Sequence, residues 1–429
     1  MIDTFDRQQA RNRQIEDSNI RLIIHRGTNE IGGSCIEVVS PEIRLLFDLG
    51  LPLRSMDEDN ENECYKLDID GLYGEDKPNI DGIFITHAHL DHFGLLEFVH
   101  PEIPVYISKT AYDILTKILP LTHNIDLSHL NLNIITIDKS TIIGDIEVIA
   151  HNVDHSIVDA MAFEIITESK KILYTGDLRF HGRKKHLSEN LTEIKGIDYL
   201  IMEGSTLDRE EQTQMTEDEL MYELANLLQD KRLSIISFSA QNLDRFISVF
   251  KTCLITKKTL VIDPYTCYVL ETFKELSKNI PQFDWNNMAV YCVGNSITEK
   301  LANKKNLYRY GKNKVSLEKI INNPENYAVK DNFGITIELL KKVKKEDLQV
   351  IYSQWAGYLE KPSHLDPLKD QLINLHVSGH ADIKSLQNFV NKIKPKNLIP
   401  IHTESADMYK KLFNAEVIQL KDGQILTIK

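Results

Sequence analysis

The sequence predicts an α/β protein in which one domain is inserted into another. A histidine-rich motif directly follows an apolar strand, the position that binding residues occupy in α/β sheets. Strand-like and helix-like segments then alternate between residues 219 and 353, which is typical of a parallel sheet in a second domain. Histidine-rich segments return after residue 375, so we expect the C-terminal part to complete the first domain.

Composition is consistent with a two-domain protein and limits its function. The chain has 429 residues, which is long for one core, and its 42% hydrophobic content is typical of globular proteins. A net charge of −13 argues against a protein that coats nucleic acid, but not against a nuclease with a local basic groove. The first 19 residues lack an apolar signal core, no stretch is long enough to span a membrane, and five cysteines are scattered without CxxC spacing. We expect a soluble, cytoplasmic protein without a membrane partner.

The N-terminal segment predicts three short strands, at residues 21–26, 34–39 and 43–48. Asp48 ends the third strand, where a carboxylate can orient a metal ligand. From the residues alone, a turn or helix-cap aspartate is the simpler interpretation. Residues 54–79 are acidic and rich in turn formers, and are expected to form an exposed loop over the site.

The run THAHLDHFG, at residues 86–94, carries the strongest chemical signal. It begins where an apolar strand ends, and a helix is predicted from its aspartate onward. The first two histidines can bind one ion from an extended loop, while the aspartate and third histidine face a second ion from the first helical turn. Nitrogen and oxygen ligands without thiolates favour an open, catalytic Zn²⁺ or Mn²⁺ site over isolated core or surface histidines. The four residues are His87, His89, Asp91 and His92.

Further candidate residues follow three later strands. His151 and His155 end one strand, and His155 is the preferred third imidazole for the first ion. Asp177 follows a buried strand and a glycine, as a carboxylate that bridges two metals would. Glu203 ends another apolar strand and, taken alone, could equally be a solvent-facing glutamate. Residues 179–186, RFHGRKKH, are the best basic candidate for nucleic-acid contact, with a second patch at Lys304, Lys305, Lys312 and Lys314, although charge runs are most often solvated faces.

The second half of the chain contains the inserted domain and the returning histidines. The insert shows neither a GxGxxG nor a Walker loop, so it is not an evident nucleotide-binding domain. After it, LHVSGHAD supplies His376, Ser378, Gly379 and His380, and His402 ends a predicted strand in LIPIHTES. The closing segment, VIQLKDGQILTI, predicts a hairpin.

These motifs resemble the metallo-β-lactamase superfamily, whose dinuclear hydrolases carry HxHxDH where this chain has residues 87–92. An insert followed by returning histidines is similar to the β-CASP branch, and the HVSGHA and PIHTE runs look most like ribonuclease J. The resemblance spans residues 20–429 and implies an αββα sandwich with an inserted parallel α/β domain. The implied boundaries are 1–208 and 366–429 for the sandwich and 209–365 for the β-CASP domain.

The resemblance also implies roles for the candidate residues, and Asp48 becomes an orienting carboxylate rather than a cap. Two divalent ions are expected, with Zn²⁺ favoured and Mn²⁺ accepted by the same ligands. One ion would be held by His87, His89 and His155, the other by Asp91, His92 and His402, with Asp177 as the bridge. His380, oriented by Glu203, would be the general acid, so the catalytic set is His380, Glu203, Asp177 and Asp91. A substrate phosphate would be held by His376, Ser378 and Gly379.

Two features depart from ribonuclease J. Its further C-terminal domain has no counterpart here, so its dimer is not implied and the oligomeric state stays open. Its phosphate-pocket serine follows a Phe-Ala pair, whereas this chain reads SFSAQNLDR, so Ser239 or Gln241 could occupy that place.

The implied function is a metal-dependent ribonuclease that hydrolyses single-stranded RNA with a dinuclear-metal hydroxide, as a 5′ to 3′ exonuclease with endonuclease action left open. His402 favours RNA, because DNA-acting relatives usually lack a histidine there. The alternatives are a β-CASP DNA nuclease, a small-ester or thioester hydrolase, and a non-catalytic partner subunit. The ester hydrolase leaves Glu203, His380 and the insert without a purpose, and the non-catalytic subunit predicts eroded ligands.

Overall fold

The computed structural model describes residues 20–428, except 54–61, 75–76, 209–214, 293, 295 and 304–306. The predictions for Lys304, Lys305 and much of the acidic loop therefore lie outside the described residues. The described strands form three sheets. The predicted α/β fold class is confirmed.

The first sheet has seven strands and forms one layer of a sandwich. Strands β3, β4, β5 and β6 are neighbours and pair in parallel. Strand β1 pairs antiparallel with both of its neighbours, β2 and β20. In spatial order these strands are β20 (Ile425–Ile428), β1 (Ile20–Arg26), β2 (Cys35–Val39), β3 (Arg44–Phe47), β4 (Gly82–Phe84), β5 (Pro104–Ile107) and β6 (Asn131–Ile134).

The second sheet also has seven strands and mixes parallel and antiparallel pairs. β7 to β10 form an antiparallel meander, and the remaining strands extend it in parallel. In spatial order they are β19 (Glu416–Val417), β18 (Asn397–Ile401), β11 (Tyr199–Glu203), β10 (Lys171–Tyr174), β9 (Met161–Ile166), β8 (Ile146–Asn152) and β7 (Ser140–Ile143).

Apolar side chains from both seven-stranded sheets meet in one core. Phe84 of β4 stacks on Phe47 of β3 with 5.3 Å between ring centroids, and Phe163 of β9 lies 5.6 Å from Phe84. The opposite faces of the sheets pack against helices, including Phe93 near β4 and Phe389 near β18. Because both faces of each sheet are buried, the strands have nearly continuous apolar sequences. The same packing determines where the carboxyl ends of the strands lie.

The third sheet has six strands, and all of its pairs are parallel. In spatial order they are β14 (Met288–Val290), β13 (Thr259–Ile262), β15 (Tyr327–Lys330), β12 (Leu233–Ser237), β16 (Leu348–Tyr352) and β17 (Leu372–Asn374). Strand β17 lies beyond residue 365, where the insert was predicted to end. The division into 1–208 with 366–429 and 209–365 stays a prediction.

Helices cover the outer faces of the sheets. The clearest sequence signal belongs to residues 383–393, where the Asp382 side chain accepts a hydrogen bond from the Ser385 N–H and one face of the helix is buried. The α-helices are α1 (Leu90–Phe93), α2 (Lys109–Asp113), α3 (Leu119–Thr122), α4 (Lys185–Asn190), α5 (Glu217–Leu227), α6 (Leu243–Ile255), α7 (Pro264–Thr272), α8 (Ser296–Asn303), α9 (Leu307–Tyr310), α10 (Leu317–Ile321), α11 (Phe333–Leu340), α12 (Ile383–Ile393) and α13 (Tyr409–Leu412).

One local prediction is wrong, and a second is confirmed in position but not in length. The C-terminal segment is not a hairpin, because β20 joins the edge of the first sheet beside β1 while β19 pairs with β18 in the second. Pairing with the edge strand of a large sheet stabilises each segment more than an isolated two-stranded hairpin would. The helix expected from Asp91 begins at Leu90 and ends at Phe93. Within the described residues, no helix has the length and apolar character needed to cross a membrane.

Candidate metal centre

The candidate site residues converge at the carboxyl ends of strands from both seven-stranded sheets. His87 and His89 follow β4, and His155 follows β8. Asp177 and Glu203 come from the ends of β10 and β11, and His402 directly follows β18. The fold therefore brings together residues that the chain separates by more than three hundred positions.

The first cluster is formed by His87, His89 and His155, each of which offers a ring nitrogen within 4.8 Å of the others. His89 Nδ1 lies 3.0 Å from His87 Nε2 and 3.2 Å from His155 Nε2. His151 lies elsewhere on the sheet, between Asp138 and Glu164.

These three imidazoles are held neutral by their environment. Burial and neighbouring histidine charges hold the pKa of His87 well below its usual range, and burial does the same for His155. Burial likewise lowers the pKa of His89 to about 4. A neutral imidazole has the free lone pair that a metal ion requires, so the cluster fits a cation.

The second cluster contains Asp91, His92, Asp177 and His402, with ligand atoms again within 4.8 Å of one another. His92 Nε2, His402 Nε2 and Asp177 Oδ1 are buried and have no hydrogen-bond partner. Leaving such atoms unsatisfied costs about 1–3 kcal/mol each, and more for charged groups. Three potential ligand atoms without hydrogen-bond partners, on residues whose ligand atoms lie within 4.8 Å of one another, are explained by a cation, so these residues also fit a divalent metal.

Asp177 lies between the two clusters. Its Oδ2 is 3.2 Å from His92 Nε2 and 3.8 Å from His155 Nε2, while Oδ1 is 3.8 Å from His402 Nε2. Burial raises the pKa of Asp177, but the charges of the surrounding histidines outweigh this and hold it well below the usual range. Gly176 has φ +54°, and a Cβ there would lie 2.8 Å from Thr86, so only glycine allows this approach.

Asp48 orients His92 from behind. Asp48 Oδ2 lies 2.7 Å from His92 Nδ1, which directs Nε2 into the cluster. The carboxylate also accepts hydrogen bonds from the Thr86 N–H at 2.7 Å and the Tyr174 hydroxyl at 2.6 Å. Its backbone has φ +60°, a strained conformation that is common at functional sites. The sequence did not indicate Tyr174, because a buried strand tyrosine usually serves only the core.

His380 and Glu203 form a pair beside the first cluster. Both Glu203 oxygens lie near His380 Nδ1, at 3.1 and 2.9 Å, and His380 Nδ1 lies 3.9 Å from Asp177 Oδ2. Glu203 also accepts hydrogen bonds from the Leu178 N–H and the Ser205 hydroxyl. Burial lowers the pKa of His380, but the negative charges of Glu203 and Asp177 raise it to about 9.

The predicted phosphate-binding residues are not all placed together. His376 Nδ1 is buried without a hydrogen-bond partner, and burial with the charge of Arg245 lowers the pKa of His376 to about 4. Ser378 Oγ accepts a hydrogen bond from the His380 N–H at 3.0 Å, and the Gly379 carbonyl lies 2.6 Å from His155 Nδ1. Ser239 is exposed after β12, where its hydroxyl accepts a local hydrogen bond from Gln241. Its assignment to the phosphate site stays a prediction.

Part of the basic run predicted to contact nucleic acid is instead buried or paired. Arg179 is fully buried and bonds Asp154 at 3.1 Å, Asp244 at 2.7 Å and the Ser378 carbonyl at 3.2 Å. Arg183 bonds Asp218 and Ser248. These arginines join the sandwich to helices α5 and α6, so they are not free for a ligand.

A second buried arginine, also missed from the sequence, continues this network. Arg245 of α6 bonds Glu217 at 3.0 Å, the Ser353 carbonyl at 2.6 Å and the Val377 carbonyl at 3.3 Å. It therefore ties the end of β16 to the segment that carries His380. No sequence signal separates such an arginine from a surface one, because the two differ only in tertiary contacts.

Two family descriptions match the regions that build this centre. Residues 71–236 match the beta-lactamase superfamily domain, and residues 366–417 match the Zn-dependent metallo-hydrolase RNA specificity domain. These two matches identify a metallo-β-lactamase domain together with an RNA specificity domain in this chain. Both matches identify the chain as a metal-dependent hydrolase, and the second match contains both His380 and His402.

The chain is similar to proteins named RNase J-like and to a transcription termination factor. An RNase J-like protein of Methanocaldococcus jannaschii is 24% identical over 418 residues, which cover 90% of this chain and 93% of that protein. The transcription termination factor FttA of Methanothermobacter thermautotrophicus is 29% identical over 207 residues, covering 43% of this chain and 31% of that protein. The structure of a protein of unknown function from Enterococcus faecalis V583 matches this one with a TM-score of 0.75 and 22% sequence identity. The match covers 96% of this chain and 100% of that protein, and it shows the fold alone.

Proposed function

We propose that this chain hydrolyses phosphodiester bonds in single-stranded RNA, using two divalent ions of which Zn²⁺ is the expected one. The observation that carries the proposal is the meeting of three buried, unpartnered ligand atoms of His92, His402 and Asp177 beside a three-histidine cluster. RNA is the favoured substrate because residues 366–417 match an RNA specificity domain and a full-length relative is named RNase J-like.

The two clusters suit two ions with different ligand sets. His87, His89 and His155 would hold one, and Asp91, His92 and His402 the other, with Asp177 between them. When bound, such ions supply the Lewis acidity that activates water and neutralises charge on the phosphate. The protein's own contribution is to hold imidazole nitrogens and carboxylate oxygens in place while excluding competing hydrogen-bond partners.

His380 would protonate the leaving 3′ oxygen. Its Nδ1 is held by Glu203, so its Nε2 is the nitrogen that can face a substrate. The raised pKa keeps this imidazole protonated at neutral pH, as a general acid requires. Glu203 acts as a positioning residue, since its other oxygen contacts are backbone and hydroxyl donors that fix its orientation.

His376, Ser378 and the Gly379 amide would hold a terminal 5′ phosphate, which gives 5′ to 3′ exonuclease action. His376 has a buried, unpartnered Nδ1, and Arg245 contributes positive charge beside it. Because the Arg245 guanidinium is already paired with Glu217, the phosphate would bind through the unpartnered His376 nitrogen and the Gly379 amide. Internal cleavage requires only the metal centre, so the two modes are separable by experiment.

The test is digestion of one end-labelled RNA bearing a 5′ monophosphate, triphosphate or hydroxyl, and of DNA of the same sequence, with Zn²⁺ or Mn²⁺. We expect mononucleotide release from 5′-monophosphate RNA, and its loss in His380→Ala. His151→Ala is the matched control, because His151 is also paired with a glutamate but lies outside the centre. It should retain activity.

Three other results would change the conclusion. Internal cuts that do not depend on the 5′ end would retain the metal mechanism and remove the phosphate pocket. Preferential DNA cleavage would make the chain a DNA nuclease. Turnover of small esters without nucleic-acid cleavage would overturn the proposal.

A further inference from the structure

Two exposed aromatic side chains form a pair directly after β16. The Trp355 and Tyr358 rings lie 5.3 Å apart at an interplanar angle of 83°, and 44% and 50% of these residues is exposed. A Cβ at Gly357 would lie 2.4 Å from Trp355 Cη2, so the indole rests against the Gly357 backbone. The pair is therefore a supported surface rather than two free side chains.

This pair is anchored to the segment that carries His380. Arg245 bonds both the Ser353 carbonyl, two residues before Trp355, and the Val377 carbonyl, three residues before His380. The Ser353 hydroxyl also donates to the Leu375 carbonyl. These hydrogen bonds join the segment that carries the aromatic pair to the segment that carries His380.

Hydrogen bonds place the pair on the His380 side of the metal centre. The Ser353 and Val377 carbonyls share the Arg245 guanidinium, and these residues precede Trp355 and His380 by two and three positions. His380 Nδ1 lies 3.9 Å from Asp177 Oδ2, so only a few residues of chain separate the aromatic pair from the candidate metal ligands.

Because of the distribution of charge, stacking of bases on aromatic rings is an important source of affinity for RNA. The net charge is −13, and Arg179 and Arg183 are already engaged by carboxylates. Aromatic rings bind unpaired bases without needing positive charge, and they do so with little sequence preference. Proteins that bind single strands commonly combine such rings with contacts to the backbone.

We propose that Trp355 and Tyr358 form a stacking platform for an unpaired base of the strand whose phosphodiester lies in the metal centre. The inference rests on the proposed nuclease function and deepens it. Duplex bases are already stacked on each other, so the platform selects single strands.

The chain supplies its own matched control, because it has two tryptophans. Trp285 precedes β14, and its carbonyl accepts a hydrogen bond from the Met288 N–H. Trp355 follows β16, which is next to the other edge strand, β17, so four strand positions of the same parallel sheet separate the strands that carry the two indoles. Trp285 is 36% exposed and packs 6.0 Å from Phe250.

The experiment uses the metal-loaded full chain as two single-tryptophan variants, Trp285→Phe and Trp355→Phe. Each is titrated with a single-stranded phosphorothioate RNA that resists hydrolysis, while the anisotropy of a labelled copy reports binding independently. We expect the fluorescence of Trp355 to be quenched as binding saturates and that of Trp285 to be unchanged. Duplex RNA of the same sequence should quench neither.

Kinetics provides the second measurement. Trp355→Ala should raise KM for RNA about tenfold, in the range of a lost stacked base, and leave kcat unchanged. Trp355→Phe should restore most of the affinity, and Trp285→Ala should change neither constant. Anisotropy binding without quenching of Trp355, or equal quenching of both indoles, would overturn the platform while leaving the nuclease intact. No binding of RNA at all would overturn the nuclease proposal itself.

Discussion

His380 Nδ1 lies 2.9 Å from Glu203 Oε2, although 177 positions separate the two residues in the chain. Glu203 is 1% exposed, so its charge acts on the imidazole with little screening by water. The pair thus couples the end of β11 to the segment after β17. It connects the protonation state of the proposed general acid to a residue that touches no substrate.

Replacing Glu203 with glutamine should lower activity and shift its dependence on pH. The protonated form of His380 is the active one, so kcat falls as pH rises through the pKa of His380, which is about 9 in the native site. Removing the negative charge lowers that pKa, and the alkaline fall in kcat should move to lower pH. A general acid contributes about 10²–10⁴-fold, so a loss of about tenfold or more is expected at pH 8. The measurement is kcat against pH from 6 to 10.

Glu164→Gln is the control for this variant. Glu164 is also buried on the second sheet and contacts an imidazole, that of His151, at 3.0 Å. It should leave the pH profile of kcat unchanged. An unshifted alkaline limb in Glu203→Gln would show that His380 is not the titrating acid.

The sequence predicts the candidate metal ligands better than it predicts the buried residues that hold the surrounding segments in place. His87, His89 and Asp91 are recognisable because ligand-type side chains rarely recur at this spacing after a strand. Arg179 has no such mark, since a basic run reads as a solvated face and only tertiary contacts show that its guanidinium is buried. The short strand β15, YAVK, is hard to recognise for a related reason, because four residues carry too little periodicity.

Replacing Asp48 with asparagine should weaken metal binding more than it weakens folding. Asparagine cannot supply the charge that orients His92 and also accept the donors of Thr86 and Tyr174. Loss of an orienting carboxylate typically costs about 10–100-fold in metal affinity. Competition with a coloured chelator measures that affinity directly.

Asp198→Asn is the matched control for the metal measurement. Asp198 is a buried aspartate beside β11 of the second sheet that accepts a hydrogen bond from the Lys171 N–H and pairs with Lys396. Its metal affinity should equal that of the wild type. Equal affinity in Asp48→Asn would exclude an orienting role for that carboxylate.

Replacing Arg179 with methionine should destabilise the protein strongly and slow catalysis without removing metal. Asp154 and Asp244 would be left buried without their partner, and breaking such a pair costs about 3–5 kcal/mol. The Ser378 carbonyl also loses its donor, so the His380 segment should loosen and kcat should fall. Urea unfolding, metal content and kcat are the three measurements.

Arg232→Met provides the comparison for Arg179, because Arg232 pairs with Asp230 on the surface. An exposed pair contributes about 0–1 kcal/mol, so this variant should unfold near the wild-type urea concentration. Arg179→Met with wild-type stability and kcat would mean that the buried network does not position the segment.

The pair of His364 and Asp331, next to the third sheet, should make the free energy of unfolding depend on pH. His364 Nε2 lies 2.9 Å from Asp331 Oδ1, and this hydrogen bond raises the pKa of His364. Burial raises the pKa of Asp331, but the hydrogen bond and charge of His364 outweigh it and lower that pKa. The ion pair is thus present between the two folded-state pKa values.

The sign of the effect follows from the direction of each shift. Because the folded pKa of His364 is raised, its stabilisation is complete below the unfolded pKa of about 6.5 and is lost as pH rises through the folded value. His364→Gln removes the charge, so the wild type should exceed this variant in free energy of unfolding by more at pH 6 than at pH 9. Urea unfolding at both pH values measures the difference, with His129→Gln at an exposed position as the control. A wild-type excess that stays constant or grows with pH would contradict the ion pair, because only a proton bound more tightly in the folded state gives a decrease.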